Sequence, residues 1–153
     1  MENVDFKELA EKLLLILDYE DGWSGRPNDV CEELMNRWGT FYDVEIYHGA
    51  SNITYDELRL NYDGFVSCSR DIDIAKDFAT RYVSDDPEHV LLKLSGRIYA
   101  LDVAKLIALC LEHEPNSPVC EFIYEDYYNE NEMLIYAEDM FSSAVKLEVL
   151  PVI

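Results

Sequence analysis

Three short segments of this 153-residue chain carry the side chains best suited to chemistry. Glu130-Asn131-Glu132 opens the apolar run Met133-Leu134-Ile135-Tyr136-Ala137. Two acids this close need not share a pKa, because the charge on one raises that of the other. In a strand, residues two apart share a face, so Leu134 and Tyr136 follow Glu132 on its own side. A carboxylate held at the mouth of a rigid strand is placed to stabilise a cation developing on a bound substrate. That is worth roughly 3–4 kcal/mol, by analogy with removal of one oxyanion-hole donor. Ser67-Cys68-Ser69 offers two hydroxyls one residue apart, and Ser69 also suits a helix cap. His48 shares a face with Val44 and Ile46, the setting of a buried, hydrogen-bonded imidazole, and Gly49 permits close approach to its backbone. Each segment also has a plain structural reading: acidic surface, a capped strand end, a histidine that only holds the fold.

The surrounding sequence says what positions them. Phe6, Leu9, Leu13 and Ile16 recur at helical spacing over residues 5 to 18, with Asp5 and Glu8 as start signals. Residues 19 to 27 hold Gly22, Gly25 and Pro27 and read as a loop. A second helix covers 29 to 38, with Val30, Leu34 and Trp38 on one face and Gly39 as its stop. From residue 41 the period changes to that of a strand. A short helix over 54 to 61, a short strand over 65 to 67 and a helix over 71 to 82 follow. Val90 to Leu94 and Arg97 to Leu101 read as two strands split by Ser95-Gly96. Asp102 caps a helix to about Leu111, prolines break it between 113 and 118, and 121 to 131 reads as a polar, aromatic loop. Strands over 132 to 137 and 144 to 150 end the chain. The pattern is α+β, one domain over 1–153 with a helical portion, 1–40, and a strand-rich body, 41–153.

Tyr47-His48-Gly49, then Gly64-Phe65-Val66-Ser67-Cys68-Ser69 leading into a helix with Ala75, Phe78 and Ala79, then Glu130-Asn131-Glu132 entering a strand: this order resembles the ADP-ribosyltransferase family. That family moves ADP-ribose from NAD to a target group. The resemblance covers roughly residues 44 to 150. It implies an α+β, ADP-ribosyltransferase-like fold of two packed antiparallel or mixed sheets, with an NAD cleft between them. It implies NAD as substrate and no metal. Glu132 takes the place of the catalytic glutamate, which binds the nicotinamide ribose and stabilises the oxocarbenium-like charge. Glu130 takes that of the residue that activates an arginine acceptor. Ser67 orients the glutamate and ribose, Ser69 supports the site, His48 holds the adenosine-side ribose, and the Gly49 backbone meets the nicotinamide amide. Tyr127 and Tyr128 stand where relatives contact the protein target, through cation–π stacking or as interface anchors. Arg59, Arg70 and Arg81 flank the segments, with Arg70 chosen to offset the pyrophosphate. Cys68 departs from the family's common Thr. His48 beside Ser-x-Ser and Glu-x-Glu mixes two classes, which leaves the acceptor open.

The formal charge of −20, from 12 basic and 32 acidic side chains, repels nucleic acid and anionic membrane and attracts a basic protein partner. No apolar run approaches the length of a membrane span, and the acidic start Met1-Glu2-Asn3-Val4-Asp5 is unlike a signal peptide. Cys31, Cys68, Cys110 and Cys120 are irregularly spaced, which predicts a reduced, cytoplasmic protein without structural zinc. No Gly-rich dinucleotide fingerprint or P-loop occurs. The expectation is a mono-ADP-ribosyltransferase acting on a protein, of the kind found among bacterial toxins and phage countermeasures. The alternative is an acidic, non-enzymatic inhibitor that mimics DNA or caps a basic protein.

Overall fold

The computed structural model describes residues 3–18, 27–51, 53–61, 64–80 and 89–151. The expected loop with Gly22 and Gly25, and the end of the expected helix at Arg81 and Tyr82, lie outside these. In chain order the elements are α1 (Phe6–Leu17), α2 (Asn28–Trp38), β1 (Thr40–Ser51), α3 (Tyr55–Asn61), β2 (Phe65–Ser69), α4 (Ile72–Thr80), β3 (His89–Asp102), α5 (Val103–His113), α6 (Pro118–Tyr127), β4 (Glu132–Tyr136) and β5 (Val145–Leu150). Short 3₁₀ turns, Tyr128–Glu130 and Ala137–Phe141, flank β4. The fold is α+β.

Local chemistry sets the helix ends. Asp5 accepts hydrogen bonds from the Lys7 and Glu8 amides at 3.1 Å and starts α1. Asp102 does the same for α5 through the Lys105 amide, also at 3.1 Å. Ser117 caps α6, with Pro118 in its first turn. The expected loop over 121 to 131 is therefore wrong. Cys120, Ile123 and Tyr127 recur at helical spacing and turn inward, and only the 3₁₀ turn and Asn131 remain irregular.

All five strands join one antiparallel sheet, where two packed sheets were expected. β3 is its spine. One edge pairs with β1 from His89 to Ala100, and the other serves β5 from Leu91 to Gly96 and β4 from Ala100 to Asp102. β2 pairs with both β1 and β4, so β1, β2, β4 and β3 form a closed ring with β5 outside it. The split expected at Ser95-Gly96 does not occur. Gly96 takes φ +137°, a conformation open to glycine, at the point between the β5-paired and β4-paired stretches.

Strand alternation divides the core in two. Ile46, Val66, Cys68, Leu92, Leu94, Ile98, Met133 and Ile135 fill the inner side of the ring, closed by Leu58 of α3 and by Ala137 and Met140. Leu101 and Leu134 face the other way, into a layer of α1, α2, α5 and α6. Each fully buried Leu or Ile contributes about 2 kcal/mol. On the helix-layer side of β1, α4 packs directly on Gly49.

A Cβ at Gly49 would lie 1.8 Å from the Ala75 carbonyl oxygen and 3.0 Å from the Ala79 amide nitrogen, both backbone atoms of α4. Gly49→Ala is therefore expected to push α4 off the sheet and to cost roughly 1–3 kcal/mol, as overpacking does. Urea unfolding measures this. A midpoint equal to that of the parent would show that α4 does not sit on Gly49.

Candidate functional site

β2 brings the three segments together. Tyr47 pairs with Ser69, and Ser69 pairs with Glu132, so these side chains form one row across β1, β2 and β4. Ser67 pairs with Leu134 and lies diagonally from Glu132 on the same face. The row crosses β2 between α4, seated on β1, and the helix layer, seated on Leu134 and Leu101. Glu132 is only 5% exposed, whereas Ser67 is half-buried.

A set of hydrogen bonds fixes the turn that delivers Glu132. The Ser69 hydroxyl donates to the Glu130 carbonyl at 2.6 Å and accepts the Asp71 amide at 3.0 Å. The Arg70 amide donates to the Asn131 carbonyl at 3.2 Å. Asn131 sits at φ 49°, the left-handed region that Asn tolerates better than most side chains. Ser69 thus joins the start of α4 to the Glu130-Asn131-Glu132 turn, a supporting place rather than a reacting one. Glu130 belongs to the 3₁₀ turn, just outside the strand that carries Glu132.

His48 lies on the opposite face from Ser67 and Glu132. It is 8% exposed, and its Nδ1 lies 2.7 Å from the Ser67 carbonyl oxygen. A carbonyl only accepts, so Nδ1 carries the proton, and the neutral ring presents Nε2 as an acceptor. Burial lowers the His48 pKa to about 4, against which the Ser67 bond pulls weakly upward. The imidazole is thus neutral at pH 7.

Other expected site residues are placed differently. The side of Gly49 that lacks a Cβ is filled by α4. The Arg70 guanidinium bonds Asp102 at 3.0 Å, lies 5.7 Å from the Tyr42 ring centre and ties the end of β2 to the cap of α5. Arg59 is on α3, which closes the inner core on the far side of the sheet from Glu132. Cys68 faces that core, and burial, then the charge of Glu132, push its thiol pKa well up, so it is a packing group rather than a nucleophile. Tyr127 and Tyr128 are half-buried against the helix layer. Phe122 and Tyr124, which sequence reasoning missed, are the more exposed aromatics of α6. The Ser117-Pro118 start signal, with period 3.6 after it, was the sign that would have found them.

Among the described residues, no group of three or more His, Cys, Asp or Glu is arranged to hold a metal, and no helix is long and apolar enough to cross a membrane. A hollow of about 140 Å³ lies between α1 and α2, lined by Asp5, Lys12, Arg37 and Trp38. It is remote from Glu132 and too small for a dinucleotide.

The His48 geometry gives a pH signature. An unfolded histidine takes up its proton near pH 6.5, whereas folded His48 does so near 4. Falling pH between these values favours the unfolded chain and removes on the order of 3 kcal/mol of stability, a loss complete below the folded pKa. NMR titration should find His48 neutral, with the proton on Nδ1, down to about pH 4. His48→Asn, which keeps a donor near Nδ1 without the titration, should flatten this part of the stability profile. A His48 titration near its ordinary value would overturn the buried-donor assignment.

Comparison of the chain with protein families, with curated proteins and with solved structures gives no match to any of them.

Proposed function

We propose that this chain is a mono-ADP-ribosyltransferase that takes NAD as substrate and transfers ADP-ribose to a side chain of a protein target, with arginine the favoured acceptor. The observation that carries the reading is strand order. His48, Ser67 and Glu132, far apart in sequence, occupy three consecutively paired strands, with Ser67 in the middle and diagonal to Glu132. The resemblance in their sequence order implies this chemistry, and the shared face of Ser67 and Glu132 supports it, whereas His48 faces the inner side. A bacterial or phage effector acting on a host protein is the setting that the resemblance implies.

In this reaction the bond between ribose C1′ and the nicotinamide nitrogen breaks, and its electron pair leaves with nicotinamide. The ribose gains positive charge, which the Glu132 carboxylate offsets from a fixed strand. A guanidinium nitrogen of the target then bonds to C1′ and loses a proton, a transfer assisted by Glu130. Ser67 orients the ribose beside Glu132 on the face they share, and His48, on the inner side, supports β2 through the Ser67 carbonyl. NAD also carries a pyrophosphate, and Arg70 is already engaged by Asp102. The reading therefore asks for phosphate contacts from backbone amides or from a rearranged Arg70.

A second reading, an acidic inhibitor that caps a basic protein or mimics DNA, is favoured by one sequence fact. No Lys or Arg occurs between Lys105 and Lys146. Salt-sensitive binding of a basic partner without any effect of NAD would support it.

Saturating NAD should raise the melting temperature by mass action on the folded state. Glu132→Gln should lower transfer by roughly a hundredfold or more while changing NAD binding far less, since the charge it offsets belongs to the transition state. Glu130→Gln should impair transfer more than NAD hydrolysis. Labelled NAD incubated with host lysate reads transfer, and calorimetry reads binding. Near-normal transfer by Glu132→Gln would remove the catalytic assignment, and absence of both NAD binding and a thermal shift would remove the transferase reading.

A further inference from the structure

β5 lies outside the ring, and among the described strands it pairs with β3 alone. Its other side is an edge of the sheet, where backbone N–H and C=O groups have no strand to meet. Val149 is 58% exposed, and the Lys146 side chain is 74% exposed. Val145 and Leu147 lean on the inner core, so Lys146 and Glu148 take the opposite face by strand alternation. There they extend a row of alternating charge. Glu45 of β1 meets Lys93 of β3 at 2.9 Å, Lys93 is in register with Glu148, and Glu148 meets Lys146 at 3.0 Å. The row stops at the sheet edge. Val145-Lys146-Leu147-Glu148-Val149, the sequence of that edge, is self-complementary about Leu147.

We propose that β5 pairs antiparallel with β5 of a second copy of this chain, about a two-fold axis at Leu147, so that one sheet runs through both copies. That axis sets Leu147 opposite the partner's Leu147, Val145 opposite the partner's Val149 and Lys146 opposite the partner's Glu148. Opposite charges directly across a strand pair attract, and like charges there repel. The same charges fix the register. Residues that face each other must lie on one side of the sheet, so the neighbouring symmetric registers centre on Lys146 or on Glu148. These set Lys146 against the partner's Lys146, or Glu148 against the partner's Glu148, and both are unfavourable. Val149, exposed in the single chain, is covered by the partner's Val145. A net charge of −20 on each copy opposes association, and two six-residue strands bury less than a standard interface. The dissociation constant is therefore expected on the order of 10–100 μM. The pairing needs neither NAD nor Glu132, so it stands apart from the transferase reading.

Sedimentation equilibrium of the full chain without NAD tests this, in about 0.15 M salt, where a Debye length of about 8 Å screens distant charges more than charges in contact. The parent chain should show a monomer–dimer equilibrium. Lys146→Glu and Glu148→Lys should each weaken the dimer by roughly tenfold or more, because each sets two like-charge pairs across the axis. The two changes shift net charge in opposite directions, so repulsion between whole molecules would weaken one dimer and strengthen the other. An equimolar mixture of the two variants restores opposite charges at both positions and should associate as the parent does. The double variant, Lys146→Glu with Glu148→Lys, should also dimerise as the parent does. Both side chains are on the surface, and melting curves check that each variant is folded. A parent chain that stays monomeric up to about millimolar concentration overturns the proposal. So does a dimer that both single reversals leave intact, or a mixture of the two variants that does not associate. NAD binding, read separately by melting, is untouched by any of these results.

Discussion

The pairing of β2 between β1 and β4 is the constraint on which the rest of the structure depends. β3 already holds β1 along one edge and β4 and β5 along the other. β2 closes the remaining gap, through a five-residue ladder to β4 and a single pair to β1, Tyr47 with Ser69. That closure gives the sheet an inside, where Ile46, Val66, Cys68 and Ile135 pack, and an outside, where the helices dock. It also aligns Tyr47, Ser69 and Glu132 in one row. Beyond that row the two strands part, and at Ser67 an imidazole supplies the donor to the backbone carbonyl.

This explains why His48 and Glu132 face opposite sides of the sheet while lying on β1 and β4, with β2 between them. His48 is enclosed on the inner side, where a charged ring has no water and its bond to the Ser67 carbonyl does not make up the loss. Glu132 is on the outer side at the end of a strand, beside a half-buried serine. The ion pair of Arg70 with Asp102 belongs to a different task. It joins the end of β2 to the start of α5 and so keeps the ring and the helix layer in register.

Helix α6 and the turn after it connect the acidic surface to this face. Cys120, Ile123 and Tyr127 anchor the helix to α1 and α5, Tyr128 begins the 3₁₀ turn, and the Glu130 carbonyl is held by Ser69.

The sequence by itself determined the kinds of element and many of their ends. Period 3.6 in α1 and α2, period 2 in β1, the caps at Asp5 and Asp102 and the stop at Gly39 are all written within a few neighbouring residues, because helix and strand periods and caps are local physics. It also showed that Leu134 and Tyr136 share the face of Glu132. It did not show α6, where aromatic and acidic residues masked an amphipathic pattern that Ser117 and Pro118 announce. It did not show that β3 runs unbroken through Gly96, because a glycine that ends one strand elsewhere here only bends it. Which strand lies beside which was decided by tertiary structure alone. Backbone hydrogen bonds are the same for every strand, so a sequence does not name its partner, and the choice falls to the two cores that must be filled at once. The same packing turned His48 inward, gave Arg70 to Asp102 and filled the space at Gly49 with α4, three outcomes set by contacts between segments far apart in the chain.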